Sequence, residues 1–150
     1  MDLETALTSL YQATREDFIP ARADLVKQAR SAGDRDLAGK IAAARKPTLA
    51  AWLLNRVGHE YPDDLDTLAA LSDALRGAHQ QLAADQLRAL SRERNDLLRT
   101  LDDRALRIAR RAGMTVTDQV AEQLREAFTA ALLAPDVLAT LRTGRLSAVP

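Results

Sequence analysis

Residues 86–112 read QLRALSRERNDLLRTLDDRALRIARRA. Leucine, isoleucine and alanine recur in this stretch every three or four residues, which is the spacing of one face of an α-helix. Asp85 can cap the start of such a helix and Gly113 can end it, so a single helix of about 27 residues, roughly 40 Å long, is predicted. We expect this helix to be the central element around which shorter helices pack.

The same helical spacing continues through the rest of the chain. Further helices are expected over residues 2–13, from residues 14–17 to Ala32, from Asp34 to Ala44, around Trp52, after a turn at residues 61–63 through Leu82, from Thr117 past Leu132, and from Pro135 to near Gly144. No strand pattern occurs, and aromatic residues make up only 3% of the chain. The predicted fold is therefore all-α: one domain over residues 1–150, a bundle of about seven to eight helices with one long central helix.

One segment differs in composition from the alanine- and leucine-rich sequence around it. Residues 45–59 read RKPTLAAWLLNRVGH and include the only tryptophan. On a helical wheel the apolar residues form one face, whereas Trp52 lies at roughly 300°, beside Asn55 and Arg56. Two interpretations stay open. A second helix covers that side and buries Trp52 with its indole N–H bonded to a neighbour, or the Trp52 side is a recognition surface.

Charge is balanced in total but unevenly distributed. The chain has 21 basic and 21 acidic residues, yet residues 37–59 and 76–112 each carry a net charge of +4, and residues 60–75 between them carry −5. A positive patch is one outcome, and an acidic block folded against the basic blocks is the other.

Arginine outnumbers lysine 18 to 3. A GC-rich genome produces the same bias, so only an arginine's position can argue for a role.

Several functional classes are disfavoured by the residues present. The chain has no cysteine, which excludes a disulfide framework and a thiolate metal site. His59 and His79 lack a further ligand at helical spacing, and the acids after Asp63 lack the remaining positions of a calcium loop. No phosphate-binding glycine loop or nucleophile elbow occurs. We therefore expect no metal, no cofactor and no enzymatic activity.

The location expected from the sequence is cytoplasmic. No apolar run approaches the roughly 20 residues that a membrane span needs. The N-terminus carries Asp2 and Glu4 instead of the basic start of a signal peptide. No membrane partner is expected.

The first set of candidate binding residues lies in residues 45–59. If the segment meets nucleic acid, Thr48 and Asn55 could reach base edges, while its cationic side chains contact phosphate. A helix-turn-helix is the natural comparison, although proline stands where the turn would favour glycine. The set consists of Arg45, Lys46, Thr48, Trp52, Asn55 and Arg56.

The second set is a ridge on the predicted central helix. Its arginines cluster between roughly 100° and 140° on the wheel, away from the leucine stripe, and could follow a phosphate backbone. Pairs such as Arg92 with Asp96 and Arg99 with Asp103 would partly neutralise the ridge and make it an ordinary solvated face. Arg94 falls inside the leucine stripe. It must extend to solvent, pair with a buried acid, or lie where the helix extends past its neighbours. The ridge comprises Arg88, Arg92, Arg99 and Arg110.

Several stretches of the chain resemble a family of uncharacterised actinobacterial proteins that are helical throughout. The segment with the pattern R-K-P-[ST]-x-x-A-W-x-x-N-R carries most of the likeness. Other matching stretches are residues 10–11, 18–22, 32–35, 90–94 and 144–146. The proline in Phe18-Ile19-Pro20 departs from the family's usual sequence at this stretch. No activity is established for the family, so the resemblance implies only that the residues from Arg45 to Arg56 belong together.

The function predicted from these observations is nucleic-acid binding, with DNA as the first choice. Two basic blocks and the polar residues around Trp52 motivate it. The alternative is a helical interaction or scaffold module whose Trp52 side docks on another protein or on a second copy of the chain.

Overall fold

The computed structural model describes all 150 residues, which form eight α-helices joined by loops and contain no strand. The helices are α1 Leu3–Leu10, α2 Phe18–Ser31, α3 Arg35–Ala42, α4 Leu49–Glu60, α5 Pro62–Gln80, α6 Ala84–Arg111, α7 Asp118–Leu133 and α8 Pro135–Arg142. The all-α prediction is confirmed. The long helix predicted over residues 86–112 is α6, which has 28 residues.

Three of the predicted helix starts, those of α3, α4 and α7, are confirmed by their caps. Asp34, Thr48 and Thr117 each accept a hydrogen bond from the backbone N–H three residues further on, at 3.0–3.2 Å. The prediction for Asp85 is wrong, because α6 begins one residue earlier and no side chain caps it. Asp85 lies instead in the first turn, where its charge suits the positive end of the helix dipole.

The main core lies between α4, α5, α6, α7 and α8. Helix α4 runs through it and buries seven of its 12 residues, including Leu53 and Val57. From α6, Leu101 and Ile108 pack into the same cluster, together with Phe128 of α7. A helix surrounded on more than one side must be apolar beyond a single stripe. This explains why Trp52 can lie off the main apolar face and still be buried.

Helices α1–α3 form a smaller layer with its own apolar clusters. Ala6, Ala29 and Ile41 form one cluster, and Leu10 and Phe18 belong to the other. None of these three helices packs its backbone closely on α4–α8. The layer is joined to the main core through the loops at residues 11–17 and 43–48 and through side chains that cross between them. The arrangement is consistent with one helical domain.

The C-terminal tail crosses over α4. The Ser147 carbonyl accepts a hydrogen bond from the backbone N–H of Thr48 at 3.0 Å, and the Gly144 carbonyl lies 3.1 Å from Nε2 of His59. Because a carbonyl only accepts, Nε2 must carry the proton. Burial lowers the pKa of His59, which favours this neutral ring. Gly144 has φ +63°, and a Cβ there would collide with the His59 ring, so the crossing requires glycine.

The first half of α6 and the second half of α5 project from the core as a two-helix arm. No α6 residue before Leu101 is fully buried. Arg94 lies in this part, half-buried, with Nε 3.4 Å from Oδ1 of Asn95. Of the three possibilities for Arg94, the structure confirms that the helix extends past its neighbours there. Leu82, at the tip of the arm, is 86% exposed with φ +53°.

Replacing Leu82 with glycine is expected to raise the free energy of unfolding by about 0.5–1 kcal/mol, since only glycine avoids the steric cost of this left-handed backbone. The N–H of Leu82 bonds the His79 carbonyl, and that of Ala83 bonds the Ala78 carbonyl. This is a helix end that usually carries glycine. Chemical denaturation measures the change.

Gly113 provides the matched control for the Leu82 variant. It ends α6 with the same bonding pattern, has φ +69°, and has nothing within 4 Å of where a Cβ would stand. Gly113→Ala should therefore lower stability by about 1 kcal/mol through the backbone alone. A loss of stability in Leu82→Gly would contradict the assignment of strain at the tip.

Candidate nucleic-acid interface

Trp52 is a core residue. Its side chain is 4% exposed, and Nε1 donates a hydrogen bond to the Ala13 carbonyl at 3.0 Å. The Arg56 guanidinium lies over the ring, 5.6 Å from its centroid. The interpretation that Trp52 is buried with its indole N–H bonded is confirmed, and the prediction of a recognition surface at Trp52 is wrong. The element that covers Trp52 is the loop at residues 11–17, so the expectation of a second helix on that side is wrong.

Asn55 holds the C-terminal tail. It is fully buried, its Nδ2 donates to the Leu146 carbonyl at 2.8 Å, and its Oδ1 accepts from the Leu146 N–H at 2.8 Å. One amide side chain therefore satisfies both polar groups of a buried backbone residue. The prediction that Asn55 reaches a base edge is wrong, because no part of its side chain is accessible.

Thr48 and the helices on either side of it also differ from the helix-turn-helix comparison. The Thr48 hydroxyl oxygen accepts from the Ala51 N–H at 3.2 Å and so caps α4. Helices α3 and α4 do not pack against each other. The arrangement needed to present α4 to a DNA groove is therefore absent, and that comparison is wrong.

Arg45 and Lys46 lie in an extended segment, residues 43–48, that we call the strap. Three side chains from the α1–α2 region bind its carbonyl oxygens. The Tyr11 hydroxyl donates to the Arg45 carbonyl at 3.1 Å, Arg15 Nε donates to the Pro47 carbonyl at 3.1 Å, and Arg22 Nη1 donates to the Ala44 carbonyl at 2.7 Å. These bonds replace the missing helical ones and fix the path of the strap.

The strap concentrates positive charge. Arg45 and Lys46 are exposed, and neither forms an ion pair. Arg15 and Arg22 bind neutral carbonyls and form no ion pair either. Four cationic side chains thus meet along six residues without a carboxylate to neutralise them.

Elsewhere the acidic block, residues 60–75, neutralises the basic ones. Glu60 pairs with Arg111 at 3.2 Å and with Arg56 at 3.7 Å, and Asp64 pairs with Arg104 at 3.2 Å. The interpretation that the acidic block folds against the basic blocks is confirmed for these contacts. Arg56, predicted as a phosphate contact, is half-buried and shares Glu60.

The ridge on α6 is exposed but sparse. Arg88 pairs with Asp85, and Arg99 pairs with Asp96 at 3.2 Å, each across three residues. The predicted pairs of Arg92 with Asp96 and of Arg99 with Asp103 do not form, so that prediction is wrong. Only Arg92 and Arg110 have no carboxylate partner, and 18 residues of helix, roughly 27 Å, separate them. The strap therefore presents a denser positive surface.

Sequence reasoning missed the residues that organise this region. Tyr11, Arg15 and Arg22 lie 34, 32 and 22 residues from their strap partners, and the acceptors are backbone carbonyls, which leave no sequence signal. Glu60 could have been found, because it lies four residues after Arg56 on the same helix.

Asp102 lies outside the strap, on α6 near α7. Its Oδ1 is buried without a hydrogen-bond partner, and burial raises the pKa from 3.8 to about 6, against the lowering effect of Arg125. Because the folded pKa exceeds the unfolded one, this group's contribution to stability is greatest below pH 4 and is lost as the pH rises through 6.

Asp102→Asn is expected to raise the free energy of unfolding at pH 7.5 by about 1 kcal/mol, a value reduced from the full shift because solvent reaches the group. At pH 4.5 the gain should shrink, since native Asp102 is then largely protonated. Denaturant titrations at both pH values measure this difference. Asp24→Asn, at an exposed aspartate of α2, is the control. An equal gain at both pH values would contradict the assigned pKa.

Two further structural findings concern metals and membranes. No group of three or more histidine, aspartate or glutamate side chains is placed to hold a metal ion. None of the eight helices combines the length and the apolar character that crossing a membrane requires.

In the comparison with known proteins, no protein-family model, no curated protein and no solved structure matches this chain. The resemblance to the actinobacterial family therefore stays a prediction.

Proposed function

We propose that this protein binds the backbone of a nucleic acid, DNA in the first instance, through the strap. The observation that supports the proposal is the meeting of Arg15, Arg22, Arg45 and Lys46 along residues 43–48 with no acidic partner. Lysine and arginine side chains that neutralise phosphates release condensed counterions, and this release supplies most of the affinity in backbone binding.

Two further features of the strap favour the binding of an anion such as phosphate. Its backbone is held by three side chains, so Arg45 and Lys46 start from a fixed base and lose little backbone freedom on binding. Helix α4 begins at Leu49, directly after the strap, and the positive end of its dipole faces the same region.

The binding is expected to depend little on base sequence. The residues that could have read base edges are engaged within the protein: Asn55 and Trp52 are buried, and the Thr48 oxygen caps α4. Phosphate contacts position a protein on a duplex without carrying sequence information. The proposal is therefore for backbone recognition, which narrows the function predicted from the sequence.

Salt dependence tests the proposal. With three to four phosphate contacts, the affinity for a short duplex should fall roughly 40- to 150-fold between 50 and 200 mM salt. Fluorescence anisotropy with a labelled duplex measures the slope, and duplexes of different sequence should give similar affinities. If no salt-sensitive binding of DNA or RNA occurs at tens of micromolar protein, the proposal is wrong. The alternative, a helical interaction or scaffold module, then takes over.

A further inference from the structure

A separate pocket lies between α4, the end of α6 and the loop at residues 11–17. Its volume is about 410 Å³, and Trp52 and Ile108 form its apolar side. The polar side includes Arg56 and Glu60 from α4 and Arg111 from α6. The pocket is thus built by three parts of the chain that the fold brings together, around the tryptophan that marks the sequence.

Arg56 is incompletely bonded in this pocket. Its Nε is inaccessible to solvent and has no hydrogen-bond acceptor. The nearest carboxylate oxygen, Oε2 of Glu60, is 3.7 Å away, which is too far for a hydrogen bond, and Nη1 reaches the Gln12 carbonyl only at 3.4 Å. A buried N–H without an acceptor is unfavourable, so a shift of the Arg56 side chain that brings Nε to an oxygen ligand in the pocket would be favoured.

Positive charge exceeds negative charge at the same place. Arg111 Nη2 lies 3.2 Å from Oε1 of Glu60, so Arg56 and Arg111 share one carboxylate. Thr14 lines the pocket as well, and its oxygen accepts from the Asp17 N–H, which leaves the hydroxyl hydrogen free to donate. Two guanidinium groups and one hydroxyl therefore surround a space with a net charge of +1.

We propose that this pocket binds a phosphate group. A tetrahedral phosphate offers several oxygens and can accept from the Arg56 guanidinium, from the Arg111 fork and from Thr14 together, which a single carboxylate such as Glu60 does not achieve. Glu60 is the last residue of α4, so its side chain can swing toward solvent when phosphate enters. Glu60 then acts as a competing internal anion that lowers the affinity of the pocket.

The phosphate can be free or part of a nucleic-acid backbone. The loop that lines the pocket also carries Arg15, which binds the Pro47 carbonyl of the strap, so a backbone bound on the strap passes close to the pocket. The pocket itself depends only on Arg56, Arg111 and Thr14, and its test with free phosphate is independent of the proposed nucleic-acid binding.

The single tryptophan reports on this pocket, because phosphate binding changes the position of Arg56 over the Trp52 ring. Titration of the full chain with inorganic phosphate, at an ionic strength kept constant with sodium chloride, should give a saturable change in emission. Arg111→Gln should weaken the binding at least about tenfold, and Glu60→Gln should tighten it by about tenfold, since each change alters one charged contact. Arg142→Gln is the matched control, because Arg142 pairs with Asp66 at a site outside the pocket.

Three outcomes would overturn the proposal: no saturable change in the wild type and in Glu60→Gln, equal affinity of the wild type and Arg111→Gln, or an equal loss in Arg142→Gln. Circular dichroism shows whether each variant is folded.

A duplex titration then separates the two phosphate sources. A duplex that changes the emission and competes with inorganic phosphate identifies the backbone as ligand, whereas a saturable phosphate effect without such competition identifies free phosphate.

Discussion

Asn55→Ala is expected to lower the free energy of unfolding by about 3 kcal/mol or more. The substitution leaves the buried N–H and carbonyl of Leu146 without partners, and each unsatisfied buried group costs roughly 1–3 kcal/mol. The tail that crosses α4 should then be released, since the Asn55 side chain binds both the N–H and the carbonyl of Leu146 in that tail. Chemical denaturation gives the energy, and amide hydrogen exchange of Leu146 reports the release.

Asn95 offers a matched control, because it is the only other asparagine and is exposed on α6. Asn95→Ala should change stability by less than about 0.5 kcal/mol. If Asn55→Ala proved as mild as Asn95→Ala, the tail would not be held in the way described.

Trp52→Ala should cost about 3–5 kcal/mol, the range for removing a buried aromatic side chain. The indole packs in the main core and bonds the Ala13 carbonyl, so the variant loses packing and leaves an acceptor unpaired. In the wild type, the emission should be blue-shifted and resistant to a small neutral quencher.

Trp52→Phe separates the two contributions. It retains much of the ring packing but removes the donor to Ala13, and a loss of about 1–2 kcal/mol is expected. A readily quenched indole in the folded wild type, or a Trp52→Ala variant as stable as the wild type, would contradict the burial of this residue.

The helices could be predicted because their determinants are local. The leucine spacing of residues 86–112 produced α6 almost to the residue, and the caps at Asp34, Thr48 and Thr117 act on N–H groups only three residues away. The capping role predicted for Asp85 was wrong because an aspartate in the first turn of a helix cannot be distinguished by sequence from an aspartate that caps it.

The candidate site could be predicted only in part, because its contacts are distant. Trp52 meets Ala13 across 39 residues, and Asn55 meets Leu146 across 91. The acceptors are backbone carbonyls, which every residue has, so no pattern of side chains identifies them. A polar face on an isolated helical wheel therefore could not be distinguished from a buried face with partners elsewhere in the chain.

Charge counting also had a limit that the structure explains. Each sequence block has a net charge of known sign, but only the fold shows which of these charges are neutralised by an ion pair with another block. Arg56, Arg104 and Arg111 meet the acids of residues 60–75, while Arg45 and Lys46 meet none. The position of an acid on a neighbouring helix decides whether an arginine contributes to a surface potential.

Charge reversal on the strap tests the central proposal most directly. Arg45→Glu with Lys46→Glu should keep its melting temperature, because both side chains are exposed, and should lose at least about tenfold in duplex affinity at 50 mM salt. Arg92→Glu with Arg110→Glu makes the same change in net charge on the α6 ridge and should retain most of the binding, apart from the general loss of charge. Equal affinity of the strap variant and the wild type, or a larger loss in the ridge variant, would contradict binding at the strap.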